Sequence, residues 1–67
     1  MNHTLTKIIL ISKVSELISN KYHITIDEAR DRLYDSDIVS LLDDEKTGLY
    51  GESPLYIFSL YEIYNKK

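Results

Sequence analysis

Asp43-Asp44-Glu45-Lys46-Thr47-Gly48 is the stretch of this 67-residue chain whose residue types and spacing come closest to metal chemistry. Oxygen donors fall at its first, third and fifth positions and glycine at its sixth, as in the first half of a calcium-binding loop. The twelfth position, where such a loop needs a bidentate glutamate, is Pro54. An EF-hand is therefore excluded, and the stretch reads as an acidic turn. His3 and His23 are the only histidines, far apart and without partners at ligand spacing. His23 is expected in an exposed loop.

Acid–base catalysis needs carboxyl groups whose pKa values are driven apart by burial. A chain this short has little interior in which to do that. The serines at 12, 15, 19, 36, 40, 53 and 59 fall in predicted helices or caps, with no strained elbow and no histidine near them in sequence. There is no glycine-rich phosphate loop. The sequence predicts no catalytic, cofactor-binding or metal-ligating residue and no small-molecule substrate, and an enzyme is not expected.

The tyrosines carry the positive signal. Tyr50, Tyr56, Tyr61 and Tyr64 cluster with Phe58 between positions 50 and 64. On one helix, positions 56, 57, 60, 63 and 64 form one flank and 54, 55, 58, 61 and 62 the other. Both flanks are substantially apolar, and a small bundle can bury only one completely. Tyrosine suits a half-buried place and is enriched in interfaces. The second flank is assigned to the core, and Tyr50, Tyr56, Ile57, Leu60 and Tyr64 are the predicted partner-contact residues.

These residues need helices to hold them. Thr4 or Thr6 can cap a first helix to about Lys21, whose apolar residues Ile8, Ile11, Val14, Ile18 and Tyr22 recur at three- and four-residue spacing. Leu5, Ile9, Leu10 and Leu17 widen that stripe beyond what one partner helix covers. Thr25-Ile26-Asp27-Glu28 fits a capping box, in which the Thr25 hydroxyl takes the third amide and Glu28 reaches back, with Ile24 and Ala29 at the staple positions. Ala29, Leu33 and Tyr34 are expected to face inward. Ser36 or Asp35 can cap a short third helix carrying Ile38, Val39, Leu41 and Leu42. Asp43 to Gly51 form a loop in which Gly48 and Gly51 are free to take positive φ. Ser53-Pro54 places an N-cap before a proline at the first helical position, where its missing N–H costs nothing. Lys66 and Lys67 suit the negative end of that last helix.

The expected architecture is a single all-α domain over residues 1–67, a small bundle of three to four helices. Its predicted core is Ile8, Ile11, Val14, Ile18, Leu33, Leu41, Leu42, Leu55, Phe58 and Tyr61. Without cysteine there is no disulfide to staple so small a domain, so packing or self-association must compensate. The apolar run Leu5 to Val14 is interrupted by charge, lacks a cleavage site and is too short to span a bilayer, so a cytoplasmic protein is expected. Residues 27–45 carry a net charge of −6, and the segments on either side are mildly basic. Such a block repels phosphate and favours basic surfaces. A helix-turn-helix over positions 26–42 would present acids where DNA contacts need Lys or Arg, so nucleic acid is not an expected partner. The alternatives to a protein-contact role are an acidic phage-type inhibitor that mimics nucleic acid and a helix-turn-helix DNA-binding protein.

Leu41 to Tyr56, with the Glu28-Ala29 pair upstream, resembles a pattern in short uncharacterised helical proteins of low-GC bacteria, some of them antitoxin-like. Richness in Ile, Lys, Asn and Tyr, with a single Ala, fits an AT-rich genome. The resemblance covers roughly residues 25–64 and implies an antitoxin-like or mobile-element role, with no catalytic residue to carry over. The sequence therefore predicts a non-catalytic interaction module, acting as a homodimer or on another protein.

Overall fold

Ile24 closes the first helix by folding back on it. The computed structural model, which describes residues 4–44 and 46–64, places α1 at Thr4–Tyr22 and α2 at Ile26–Asp35. Between them His23 takes a left-handed conformation, φ 57°. The Ile24 amide then donates to the Ser19 carbonyl at 3.2 Å. This is the six-to-one bond of a Schellman termination. Because α1 begins at Thr4, Thr6 lies inside the helix rather than at its cap.

The start of α2 is half a capping box. Thr25, in extended conformation, accepts the Glu28 amide at 3.1 Å. Glu28 does not return the bond; its carboxylate lies 3.3 Å from Arg32 one turn on. After α2, the Ser36 hydroxyl donates to the Leu33 carbonyl at 2.6 Å and accepts the Ile38 amide at 3.3 Å. One side chain thus closes α2 and opens α3, Ile38–Asp43, whose formal N-cap Asp37 makes no side-chain capping bond. A 3₁₀ turn at Leu49–Gly51 leads to α4, Pro54–Tyr64. The protein is an all-α bundle of four helices, with no strand among the described residues.

The core is built from one motif used four times. Leu10, Val14 and Ile18 of α1, Ala29 and Leu33 of α2, Ile38 and Leu42 of α3, and Ile57 and Tyr61 of α4 are all buried. Each set has four-residue spacing, which stacks side chains on one helical face. α1 is central and packs chiefly against α2 and α4. This corrects the core expected from sequence. Ile8 and Leu55 are exposed, at 56% and 65%, and Tyr34 is exposed as well, while Ile11, Leu41 and Phe58 are half-buried at the core's edge. The reason is that α1 is apolar around most of its girth, so several stripes fit three- and four-residue spacing. Contact with α2 on one side and α4 on the other selects the line Leu10–Val14–Ile18.

No helix among the described residues is long and apolar enough to cross a membrane. Lys66 and Lys67, assigned above to the end of α4, lie outside the described residues, as do His3 and Glu45.

Candidate contact surface

Thr47 organises the corner that delivers α4. Its hydroxyl lies 2.8 Å from the carbonyl oxygens of both Leu41 and Asp44, sharing its one hydrogen between them, and it accepts the Leu49 amide at 3.2 Å. Asp44 accepts the Lys46 amide at 3.0 Å, closing an Asx turn. The acidic loop thus has a structural use, and among the described residues no group of three or more His, Cys, Asp or Glu is placed to hold a metal ion. Gly48 is left-handed, φ 67°, but Gly51 is not, so only one of the two glycines uses its freedom. The 3₁₀ turn then lays Leu49 and Tyr50 against the core. Ser53 caps α4 by accepting the Tyr56 amide at 3.2 Å, with Pro54 next to it.

α4 is also pinned to the far end of α1. Glu62 accepts hydrogen bonds from the Lys21 ammonium and from the Tyr22 hydroxyl. The Lys21 ammonium lies 5.7 Å from the centre of the Phe58 ring and 5.6 Å from that of Tyr22, within cation–π range. The bond to Glu62 raises the Lys21 pKa, and the same carboxylate, accepting the Tyr22 hydroxyl, raises the tyrosine's. Burial raises that of Tyr61.

With both ends fixed, the outer face of α4 is defined. Ile57 and Tyr61 point inward, so the opposite side carries Leu55, Tyr56, Ser59 and Ile63. Leu55 and Ile63 are 65% and 64% exposed and Tyr56 is 46% exposed. Of the contact residues expected from sequence, Tyr56 and Tyr64 are exposed, while Tyr50 and Leu60 are half-buried and packed on the core. Ile57 is fully buried and belongs to the core, which corrects its place on the contact flank. Leu55 and Ile63, exposed on this face, are not among the contact residues expected from sequence. Ser59 could have found them. It is the only polar residue between Pro54 and Tyr61, it marks the outside, and Leu55 and Ile63 lie one turn either side of it.

Beside this face runs a shallow groove between α1 and the 50–55 corner. It consists of two hollows of about 390 and 380 Å³ that share Lys13 and Pro54. Leu17 and Leu55 line one, Ile9, Leu10 and Tyr50 the other. A third hollow of about 240 Å³, lined by Ile8, Ile11, Tyr34 and Val39, has Lys7 and Asp43 at its rim, 3.7 Å apart.

No protein-family model, curated protein or solved structure matches the chain.

Proposed function

We propose that this protein is a small non-catalytic contact module. In this reading it acts through the outer face of α4 on a protein partner or on itself, in an antitoxin-like or mobile-element regulatory role in the bacterial cytoplasm. The observation that carries the reading is the exposure of Leu55, Tyr56 and Ile63 on one side of a helix whose other side fills the core. Scattered exposed apolar residues are ordinary, but a row of them on a well-anchored helix is the mark of a covered surface. The groove beside Leu55, lined by Leu17 and Pro54 together with the charged Lys13 and Glu16, extends that surface toward α1.

The two nucleic-acid readings find less support. On α2, Arg30 and Arg32 lie beside Asp27 and Glu28, each at 3.3 Å, which weakens the negative field that a nucleic-acid mimic needs. α3 commits Ile38 and Leu42 to the core and brings Asp37, Asp43 and Asp44 to its ends, the wrong charge for phosphate contacts.

The test is capture of host proteins on the immobilised chain, compared with a Leu55→Ser, Ile63→Ser variant shown by circular dichroism to remain helical. The reading expects a stoichiometric partner, or the chain itself, to be retained by the parent and lost by the variant. Equal retention by both would count against α4 as the surface.

A further inference from the structure

The outer face of α4 matches itself when turned end for end. Ser59 stands at its centre, with Leu55 one turn before and Ile63 one turn after. Two such helices laid antiparallel across a two-fold axis at Ser59 bring Leu55 of one copy level with Ile63 of the other, and the same contact recurs on the far side of the axis. That is the isologous geometry of a closed dimer. Resting on the reading of α4 as a contact surface, we infer that the occupant of this face is a second copy of the chain, paired antiparallel through Leu55, Ser59 and Ile63 with Tyr56 at the flank.

Three observations support self-pairing. Ser59 is small, and its hydroxyl already donates to the Leu55 carbonyl at 3.0 Å. A second helix can therefore approach closely without stranding a polar group. The face itself carries no charge, and the single ionic residue of α4, Glu62, is engaged by Lys21. Two copies each of net charge −3 repel wherever their acids meet, and eight of the eleven acids fall in residues 27–45, outside α4 in the chain. A neutral face is where like-charged copies meet at least cost, and the charges in the hollow that Leu55 shares, Lys13 and Glu16, are of opposite sign. Size sets the strength. Leu55, Tyr56 and Ile63 offer roughly 300 Å² per copy, short of the roughly 1,000 Å² total of a stable specific interface. The dimer is accordingly weak and concentration-dependent.

The native chain has no cysteine, so single cysteines report cleanly. Ser59→Cys lies on the proposed axis and is expected to form a disulfide-linked dimer under mild oxidation. The exposed control Asp31→Cys on α2 is expected to remain monomeric. Leu55→Cys mixed with Ile63→Cys is expected to give the mixed dimer in preference to either homodimer. Those two variants carry the test if Ser59→Cys fails to fold. In sedimentation, the unmodified chain gains mass with concentration and Ile63→Ser does not. A monomer at every concentration, with Ser59→Cys linking no faster than Asp31→Cys, overturns self-pairing. Preferential homodimers of Leu55→Cys and of Ile63→Cys overturn the antiparallel geometry. If self-pairing fails while the serine variant still loses a captured partner, the contact reading stands without it; if both fail, both readings fall.

Discussion

Ser19 and Ile24 are joined twice: the Ile24 amide donates to the Ser19 carbonyl at 3.2 Å, and the Ser19 hydroxyl donates to the Ile24 carbonyl at 2.5 Å. This double clasp turns the chain from α1 into α2. It holds His23, the residue just before Ile24, in the left-handed region, where a β-carbon is unfavourable. His23→Gly is therefore expected to stabilise the fold by about 0.5–1 kcal/mol, the left-handed penalty less glycine's greater unfolded-state entropy. A rise in urea midpoint at unchanged slope is the expected result, and a fall would contradict it. His23→Val should move the midpoint the other way.

The two halves of the α2 capping box are separable. Thr25→Ala removes a bond the structure makes and should cost about 1 kcal/mol. Glu28→Gln loses only an exposed pairing with Arg32, worth about 0.2–0.5 kcal/mol. Chemical denaturation of the two variants side by side should rank them in that order, and equal losses would indicate that Glu28 does reach back to the cap.

Ser15 is fully buried in α1, and its hydroxyl has no hydrogen-bond partner among the described residues. A buried hydroxyl left unpaired costs free energy that an alanine does not. Ser15→Ala should raise the thermal midpoint, with a gain of about 1 kcal/mol. A loss of stability on this substitution would mean that the hydroxyl is satisfied in solution.

Gly48 and Gly51 look alike in sequence and should respond oppositely. Neither β-carbon position meets another atom within 4 Å, so conformation alone decides. Gly48→Ala must hold a left-handed alanine and should cost about 1 kcal/mol. Gly51→Ala has no such strain and should be neutral or stabilising by up to about 1 kcal/mol through the unfolded chain. The Gly48 variant should also be cleaved faster by trypsin after Lys46, since its turn holds the corner against the core.

Alkaline pH should loosen the tie between α1 and α4. The folded state raises the pKa of Lys21 above 10.5 and that of Tyr22 above 10.0, in both cases first through hydrogen bonding to Glu62. For groups raised on folding, the stabilisation is complete below the ordinary value and is lost as pH rises through the folded one. The urea midpoint should thus fall between about pH 10 and the raised values. Tyr22→Phe should flatten part of that fall, leaving the contributions of Lys21 and of Tyr61, whose pKa burial raises. An unchanged profile in Tyr22→Phe would remove the Tyr22–Glu62 bond as a contributor.

What could be read from sequence was local. The Thr25 and Ser53 caps, the proline at the start of α4 and the break at Ser36 all act within three or four residues, through backbone groups whose partners are near in the chain. Those signals delimit four helices and an all-α class. The faces were another matter. α1 and α4 are apolar on nearly every side, so periodicity fits several stripes and selects none. Tertiary contact decided between them. It placed Leu10 in the core and Ile8 outside, Ile57 in the core and Leu55 outside, because a small bundle has room for one four-residue line from each helix. The exposed row on α4 is what that choice left over, and a sequence whose apolar residues exceed its core cannot say in advance which of them will be left.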